Sequence, residues 1–368
     1  MVRIMITGGG TGGHIFPGIA IADAVKRIEP EADIIFVGTK GKIESRVVPK
    51  AGYKFVPIWI SGFRRSFDLR NLLFPLKLIV SLIQSFLILK KFKPNVVVGT
   101  GGYVSGPVVF VASLLGVPTL IQEQNSYPGI TTRLLSTLVD EVHISFESSR
   151  KYLKRKDNVF LTGNPVRSSL KIYPKGEALK FFGLDEGKKT LFVFGGSTGA
   201  RSINEAMLEI IDELVKRDIQ VIWQTGMLDF ERVRNKCEGV RGVKVFPFLD
   251  EIDYAYSACD LVVCRAGATT ISEITYFGVP SILVPYPFAA ANHQYENARV
   301  LSENGAGEIL LDSELKSKLK EKILNLIADD QKLKMMREKA KSLANPEAGD
   351  MIAKSILKLA RGRNVQHR

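Results

Sequence analysis

The chain has 368 residues, 45% of them hydrophobic, which is enough for two α/β domains with separate cores. Its three cysteines form no CxxC pair, so the sequence argues against a zinc site or a disulfide framework and favours a reducing cytoplasm. The apolar run before the first glycines, residues 2–6, is too short for the apolar region of a signal peptide. The net charge is +13, and residues 1–165 carry 21 Lys and Arg against 11 Asp and Glu.

A unit of strand, glycine-rich loop and helix opens the chain and recurs near its middle. The first loop is GGGTGGH at residues 8–14, and the second is GGSTGA at residues 195–200. Glycine allows a sharp turn and a close approach of the backbone to a ligand, while the first helical amides are unpaired and partly positive. The pair of loops therefore predicts two nucleotide-type domains that face one phosphate-bearing ligand.

Short apolar strands alternate with helical patterns through both halves of the chain. The predicted strands are 2–7, 34–37, 96–98, 119–122 and 141–145 in the first half, and 190–194, 220–224, 243–246, 261–264 and 281–284 in the second. This alternation predicts an α/β protein with two doubly wound parallel sheets. We expect one domain at residues 1–163, a second at 164–344, and a C-terminal helix and tail at 345–368, with the helix a candidate for packing against the first domain.

A basic and apolar segment lies at residues 62–93, where seven Lys and Arg residues accompany a single acid, Asp68. Its apolar run is interrupted by Pro75, Lys77 and Gln84, which argues against a transmembrane span. Three interpretations remain. The segment is a core helix with solvated basic ends, a surface that contacts an anionic membrane, or, least favoured because no binding motif accompanies the charge, a nucleic-acid site.

Gly8, Gly10 and Gly13 match the GxGxxG pattern of dinucleotide-binding domains. Such domains place an acid at the end of the second strand to hold a ribose, but residues 36–42 contain none. NAD is therefore disfavoured. A lysine from this stretch, Lys40 or Lys42, could meet a 2′-phosphate, so an NADP-dependent oxidoreductase stays an alternative.

His14 directly follows the first glycine loop, at the predicted start of a helix. A helix N-terminus favours the neutral form of an imidazole, and a neutral imidazole beside a phosphate-binding loop can act as a general base. The alternative is that His14 only forms hydrogen bonds with the loop. His143 lies in a strand pattern and is expected to be structural.

Two further glycine turns, at residues 99–107 and 265–273, follow predicted strands. Ligands of open parallel sheets bind beyond the carboxyl ends of the strands, so both turns belong to the predicted site. Thr269 and Thr270 can bind phosphate at a helix start. Glu273, expected in the first turn of that helix, can accept hydrogen bonds from a ribose or simply complement the helix dipole.

Amide side chains also follow two of the strands, in Glu123-Gln124-Asn125 and in the segment 292–298. Amide groups both donate and accept, which suits the hydroxyl groups of a sugar. With the phosphate loops and the ribose-type carboxylate, these segments indicate a nucleotide sugar as ligand.

Seven motifs in order resemble the MurG family of peptidoglycan N-acetylglucosaminyltransferases, in glycosyltransferase family 28. They are GGGTGGHIFPG (8–18), GGYVSGP (101–107), EQN (123–125), GNPVR (163–167), GGSTGARSIN (195–204), FLDEIDYAYSACDLVVCRAGATTISE (248–273) and NHQYENA (292–298). The resemblance extends essentially from end to end. It implies a GT-B fold, two Rossmann-like domains whose sheets face one cleft, with the first domain binding the acceptor on the membrane side and the second binding UDP-GlcNAc.

The resemblance also implies roles for individual residues. Thr11, Gly12 and Gly13 would border the sugar and diphosphate, with Tyr103 also in the substrate site; Asn125 would contact GlcNAc; Arg167 and Ser197 would meet the phosphates; Leu249 would present its backbone to uracil; Ala268, Thr269, Thr270, Ile271, Ser272 and Glu273 would hold phosphate and ribose; and Gln294 would bind sugar hydroxyls. Some relatives have two adjacent glutamines where this chain has His293-Gln294, so only Gln294 is carried over.

The function expected from the resemblance is inverting transfer of GlcNAc from UDP-GlcNAc to the 4-hydroxyl of lipid I, with His14 as candidate base. No D-x-D triplet is present to hold a divalent ion, so neither metal nor cofactor is expected. The expected location is the anionic cytoplasmic surface of the membrane, and no nucleic-acid partner is expected. A non-catalytic module that binds nucleotide sugars or membranes is the second alternative.

Overall fold

The structure is a computed structural model that describes residues 1–62, 73–196 and 198–362. The chain divides into two compact units, residues 1–168 with 345 onward, and residues 169–344. The division after Ser168 comes later than the sequence-based boundary at residue 163. Asn164, just past that boundary, is buried in the first unit, where Gln122 Nε2 donates to its Oδ1 at 3.3 Å.

Within the described residues, the first unit is a parallel seven-stranded sheet with helices. Its strands are β1 (Arg3–Thr7), β2 (Asp33–Thr39), β3 (Lys54–Ile58), β4 (Val96–Gly99), β5 (Thr119–Glu123), β6 (Glu141–Ile144) and β7 (Val159–Leu161). Their order across the sheet is β3-β2-β1-β4-β5-β6-β7. Its helices are α1 (Gly12–Ile28), α2 (Glu44–Lys50), α3 (Phe74–Phe92), α4 (Ser105–Leu114) and α5 (Ile130–Leu135), with a 3₁₀ helix at Glu147–Tyr152.

The second unit has the same construction, with six parallel strands in its described part. Its strands are β8 (Thr190–Phe194), β9 (Gln220–Gln224), β10 (Val243–Phe246), β11 (Leu261–Cys264), β12 (Ser281–Leu283) and β13 (Gly307–Ile309). Their order is β10-β9-β8-β11-β12-β13. Its helices are α6 (Lys175–Phe182), α7 (Arg201–Lys216), α8 (Phe230–Cys237), α9 (Ile252–Ala258), α10 (Ala268–Phe277), α11 (His293–Glu303), α12 (Leu315–Ala328) and α13 (Asp330–Ser342), and 3₁₀ helices lie at Ala290–Asn292 and Asp312–Glu314.

The predicted α/β class with two doubly wound parallel sheets is confirmed. The sequence patterns missed three strands, β3, β7 and β13, each of which lies at an edge of its sheet. An edge strand is covered less completely than a central one and tolerates proline, so its apolar pattern is weaker. Pro57 lies inside β3, and Phe160 and Leu161 of β7 are exposed.

The last helix, α14 (Ala348–Gly362), packs against α1 of the first unit. Its buried face, which includes Ile352 and Ile356, joins the apolar cluster beside β1 and α1. Two ion pairs flank this contact, Arg27 with Asp350 and Arg361 with Glu29. The helix therefore closes one face of the first sheet, although it follows the second unit in the chain.

Replacing Ile356 by alanine should lower the free energy of unfolding of the first unit by about 2–5 kcal/mol, because Ile356 is fully buried and the change leaves a cavity. Met351→Ala on the same helix is the matched control, since Met351 is exposed and should cost much less. Denaturant unfolding measures both. Equal losses in the two variants would contradict the packing role assigned to α14.

Candidate functional site

The first glycine loop joins β1 to α1 and packs closely against the loop that follows β4. A Cβ on Gly8 would lie 2.0 Å from Thr100 Oγ1, and one on Gly102 would lie 2.3 Å from the carbonyl oxygen of Gly9. The loops that follow β1 and β4 therefore pack so closely that larger residues are excluded. Because α1 begins at Gly12, His14 is the third residue of that helix.

Glu44, which sequence reasoning missed, anchors the first glycine loop from inside the unit. Its carboxylate is fully buried and accepts hydrogen bonds from the backbone amides of Gly10 and Thr39, both at 3.1 Å. No acid lies at the end of β2, but Glu44 follows five residues later, and its carboxylate binds backbone amides of the protein. Repulsion disfavours a second anion beside this carboxylate, so the Gly10 amide is not a donor for phosphate, whereas the amides of Gly12 and Gly13 lie in the first turn of α1.

Tyr103 packs against the same loop. A Cβ on Gly10 would lie 3.1 Å from its ring, and Gly10 has a φ of +87°, a conformation that favours glycine. Partial burial raises the pKa of the Tyr103 hydroxyl, and the nearby Glu44 carboxylate adds to that effect. The hydroxyl therefore stays protonated at neutral pH and can donate a hydrogen bond.

His14 is half-buried at the mouth of the loop, where its Nδ1 lies 2.9 Å from Gln124 Oε1. The backbone of Gly101 passes beside the ring, and a Cβ there would lie 2.7 Å from Nδ1. His14 and Gln124 are 110 residues apart in sequence, so the carboxyl ends of the strands bring them together as expected for this fold. His143, expected to be structural, is buried with its Nε2 2.8 Å from Glu141.

Asn125 belongs to a loop that a buried carboxylate shapes. Glu123 accepts hydrogen bonds from the backbone and side-chain amides of Asn125, at 3.0 and 3.2 Å. Its other oxygen accepts from the Gly129 amide at 3.0 Å and the Thr132 hydroxyl at 2.6 Å. Glu123 was not predicted as a site residue, yet it fixes the conformation in which Asn125 is presented.

Arg167 lies in the first unit, near the start of α1. Its guanidinium carbon is 5.3 Å from the centre of the Phe16 ring, a cation–π distance, and the side chain is half-buried. The positively charged guanidinium of Arg167 therefore lies near the N-terminal end of α1, which also carries His14.

The second glycine loop is held against the turn after β9. A Cβ on Gly199 would lie 2.1 Å from the Thr225 carbonyl oxygen, and one on Gly226 would lie 2.5 Å from that of Thr198. Gln224 ties this loop to Leu249, because it donates to the Gly196 carbonyl and accepts from the Leu249 amide, both at 3.0 Å. Because the Leu249 amide is bonded to Gln224, only the Leu249 carbonyl is available on this backbone for a hydrogen bond from a nucleobase. Ser197 lies outside the described residues.

Arg265, at the end of β11, is a buried cation that sequence reasoning did not single out. It forms an ion pair with Asp312 at 2.5 Å and donates to the Ser202 hydroxyl at 2.9 Å. Asp312 also accepts from Ser202 at 2.7 Å. These contacts tie the end of β11 to the first turn of α7, which follows the second glycine loop.

The start of α10 presents the unpaired amides of its first turn, from Ala268, Thr269 and Thr270. The first helical hydrogen bond runs from the Ile271 amide to the Gly267 carbonyl, at 2.9 Å. The hydroxyl oxygen of Thr269 is buried and has no hydrogen-bond partner among the described residues. Such a helix start suits an anion, whereas the buried side chain of Ile271 and the Ser272 hydroxyl, which donates to Ala268, face the protein.

The expected position of Glu273 in the first turn of its helix was wrong. The helix begins at Ala268, directly after Gly267, so Glu273 is its sixth residue and the first turn holds no acid. Glu273 is buried, and its carboxylate accepts a hydrogen bond from the Tyr256 hydroxyl at 3.1 Å. It therefore does not complement the helix dipole from the first turn, and Tyr256 orients it.

Gln294 is the second residue of α11. The backbone before this helix is left-handed at Ala291 and Asn292, with φ of +51° and +55°. Gln294 Oε1 accepts from the Tyr286 amide at 2.9 Å, which leaves its NH₂ group as the part that can donate to a ligand.

Helix α3 exposes a stripe of apolar side chains. Ile79, Ile83 and Leu87 are 56%, 55% and 59% exposed and lie four residues apart, on one side of the helix. The buried positions include two serines, Ser81 and Ser85, whose hydroxyls donate to helix carbonyls. Leu89 is buried and Leu78 and Leu82 pack against the core, so α3 covers the core on one side and also exposes an apolar stripe on another. A core helix with only solvated basic ends would not leave that stripe exposed. Three of the basic residues considered with this segment, Arg64, Arg65 and Arg70, lie outside the described residues, and no helix among the described ones is long and apolar enough to cross a membrane.

Comparison with known proteins gives matches over nearly the whole chain. Residues 4–144 match the glycosyltransferase family 28 N-terminal domain, and residues 190–352 match the C-terminal domain of that family. Curated UDP-N-acetylglucosamine–N-acetylmuramyl-(pentapeptide) pyrophosphoryl-undecaprenol N-acetylglucosamine transferases from Prosthecochloris aestuarii and Chlorobaculum parvum are 43% and 44% identical, over 98% of this chain and 99% and 100% of theirs. The crystal structure of Acinetobacter baumannii MurG superposes with a TM-score of 0.76 at 27% identity, covering 97% of this chain and all of that one.

Proposed function

Because the chain belongs to glycosyltransferase family 28, we propose that it transfers N-acetylglucosamine from UDP-GlcNAc to undecaprenyl-pyrophosphoryl-MurNAc-pentapeptide, the step that makes lipid II for peptidoglycan. The observation that carries this proposal is the match, from one end of the chain to the other, to curated transferases of that activity. The described residues support it with groups suited to phosphate, ribose and sugar recognition, and with a half-buried histidine that can accept a proton.

The second unit holds the donor in this proposal. The amides of Ala268, Thr269 and Thr270 bind the diphosphate, with the Thr269 hydroxyl as a further donor. Glu273, oriented by Tyr256, accepts the hydroxyls of the ribose. The remaining contacts proposed for the second unit are the Leu249 backbone with uracil, Ser197 with phosphate, and Gln294 with sugar hydroxyls. Ile271 and Ser272 contribute only by continuing α10, since the Ile271 amide and the Ser272 hydroxyl are bonded within the helix.

The first unit holds the acceptor and the base. His14 takes the proton of the acceptor 4-hydroxyl as that oxygen bonds to the anomeric carbon, while the bond from this carbon to the UDP oxygen breaks. Attack from the face opposite UDP inverts the configuration at the anomeric carbon. Thr11, Gly12, Gly13 and Tyr103 border the reacting groups, and Asn125 contacts the sugar.

UDP leaves as an anion, so its charge must be stabilised as the bond breaks. The first-turn amides of α10 and the guanidinium of Arg167 provide fixed positive charge for that purpose. Both the amides and the guanidinium belong to the chain itself.

We further propose that α3 docks on the anionic cytoplasmic surface of the membrane, where a lipid-linked acceptor resides. The exposed side chains of Ile79, Ile83 and Leu87 form an apolar surface, and the last turn of the helix contains Lys90 and Lys91. Apolar side chains can enter the interface, and each basic residue near acidic headgroups contributes about 1 kcal/mol.

Changing Ile79, Ile83 and Leu87 to glutamine should strongly reduce sedimentation with anionic vesicles and leave the fold intact, because these side chains are exposed. Lys90→Gln with Lys91→Gln should weaken binding mainly at low salt, since headgroup attraction is screened. Met335→Gln, at an exposed apolar position of the second unit, is the control. Unchanged vesicle binding in both α3 variants would exclude this helix as the docking surface.

Ligand-induced thermal stabilisation separates the proposed donor from the nicotinamide alternative. A ligand that binds only the folded state stabilises it by about 2.7 kcal/mol at 100 times its Kd. UDP and UDP-GlcNAc should raise the Tm, and NADPH should not. Stabilisation by NADPH alone would contradict the proposed function.

A further inference from the structure

A buried chain of side-chain amides extends from His14 into the first unit. Gln124 Oε1 lies 2.9 Å from His14 Nδ1, and Gln124 Nε2 donates onward to the side-chain oxygen of Gln122. Gln122 Nε2 in turn donates to Ser145 Oγ at 3.2 Å and to Asn164 Oδ1 at 3.3 Å. Gln122, Gln124 and Asn164 are only 0%, 1% and 5% exposed.

The orientation of Gln124 is fixed by its neighbours. One end of its amide faces two backbone carbonyls, those of Thr100 at 2.8 Å and Gln122 at 3.0 Å. Carbonyl oxygens only accept, so this end must be the NH₂ group, because a reversed amide would place three oxygens together without a proton. The carbonyl oxygen of Gln124 therefore faces His14.

That orientation determines which nitrogen of His14 carries the proton. An oxygen that only accepts requires a donor opposite it, so Nδ1 carries hydrogen and Nε2 keeps its lone pair in the neutral ring. We propose that Gln124 is a positioning residue that holds His14 in the Nδ1–H tautomer, so that Nε2 is the atom that takes the acceptor's proton. The inference rests on the proposed function for the identity of that proton, but the tautomer itself is a property of the free protein.

A neutral amide fixes the tautomer without adding a charge next to the ring. The carboxylates near this part of the unit are engaged elsewhere, Glu44 with the Gly10 and Thr39 amides and Glu123 with the loop that carries Asn125. Gln122 supports this orientation, because its side-chain oxygen accepts from Gln124 Nε2 while its own Nε2 donates to Ser145 and Asn164.

Nuclear magnetic resonance of protein labelled with ¹⁵N in histidine tests the tautomer without any turnover. The His14 signals, assigned by their loss in His14→Ala, should show a protonated Nδ1 and an unprotonated Nε2 in the wild type. Gln124→Leu removes the acceptor opposite Nδ1 and should lose the preference. A protonated Nε2 in the wild type, or the same spectrum in Gln124→Leu, would overturn the proposal.

Kinetics separate positioning from a purely structural role. Gln124→Leu should lower kcat about 10- to 100-fold, by analogy with the loss on removing residues that orient metal-bound histidines, with little change in KM for the donor. In the His14→Ala background the same change should cost nothing further. Gln220→Leu removes a buried glutamine of the second unit and should leave kcat near the wild-type value.

Equal losses from Gln124→Leu with and without His14 would assign Gln124 to the fold alone and overturn the inference. If the wild type shows the Nδ1–H tautomer but no GlcNAc transfer, the proposed function fails and the tautomer assignment stands. If GlcNAc transfer occurs but His14 carries its proton on Nε2, the proposed function stands and the tautomer assignment fails.

Discussion

Replacing His14 by alanine is expected to lower turnover with saturating UDP-GlcNAc and acceptor by roughly 10²- to 10⁴-fold, the contribution of a positioned acid or base. His14 is the third residue of α1, half-buried, and bound through Nδ1 to Gln124. Donor affinity, measured by calorimetry with UDP, should change little, because none of the contacts proposed for UDP involves the His14 side chain.

His143→Gln is the matched control for the loss of a histidine in the same unit. His143 is buried beside Glu141, so its replacement should affect the Tm more than kcat. A near-normal rate in His14→Ala at saturating substrates would remove His14 as the base. An equal loss of rate in both variants would point to damage of the first unit as a whole.

Glu273→Gln is expected to weaken binding of UDP-GlcNAc about 10- to 150-fold. Hydrogen bonds to a charged group contribute about 1.5–3 kcal/mol, and an amide replaces one acceptor oxygen with a donor. Glu273 is buried on α10 and accepts from Tyr256, so the substitution keeps the size of the side chain and removes its charge. Calorimetric titration with UDP and UDP-GlcNAc measures the loss.

Tyr256→Phe tests whether that loss comes from the ligand or from the fold. It removes the hydroxyl that donates to Glu273 but keeps the ring, which packs against Phe277 and Phe192. Affinity should fall much less than in Glu273→Gln, since the carboxylate remains. If Glu273→Gln leaves donor affinity unchanged, Glu273 has no part in ribose recognition.

The sequence predicted the α/β class and the positions of the central strands along the chain, because these strands are buried on both faces. Such strands are continuous apolar runs, and glycine loops mark their carboxyl ends. Three of the four edge strands in the described sheets were missed for the converse reason, since β3 contains Pro57 and β7 exposes Phe160 and Leu161. Local patterns report burial, and the edges are the least buried part of each sheet.

The residues that shape the site were largely beyond local patterns. Glu44 binds an amide 34 residues away and Gln124 binds a histidine 110 residues away, so neither pairing leaves a signal in a short window of sequence. Tyr256 and Glu273 lie on different helices, so their hydrogen bond likewise leaves no signal in a short window of sequence. An acid after the second strand, such as Glu44, could have been found by extending the search beyond the strand end.

Helix α3 shows where composition alone misleads. Its apolar content fits a core helix, but its buried side includes Ser81 and Ser85 and its exposed side includes Ile79 and Ile83. Ser81 and Ser85 are small enough for α3 to pack closely against α4, while Ile79 and Ile83 lie outward and Leu89 packs against the core. Only the packing partner decides which face of such a helix is covered.

The central claim is the transfer reaction, and the most direct measurement follows labelled GlcNAc from UDP-GlcNAc to a lipid-linked MurNAc-pentapeptide acceptor. The wild type should form one UDP for each sugar transferred, with a β-linked product, and His14→Ala should form product at a small fraction of that rate. Release of UDP without labelled product, or equal product formation by wild type and His14→Ala, would contradict the account.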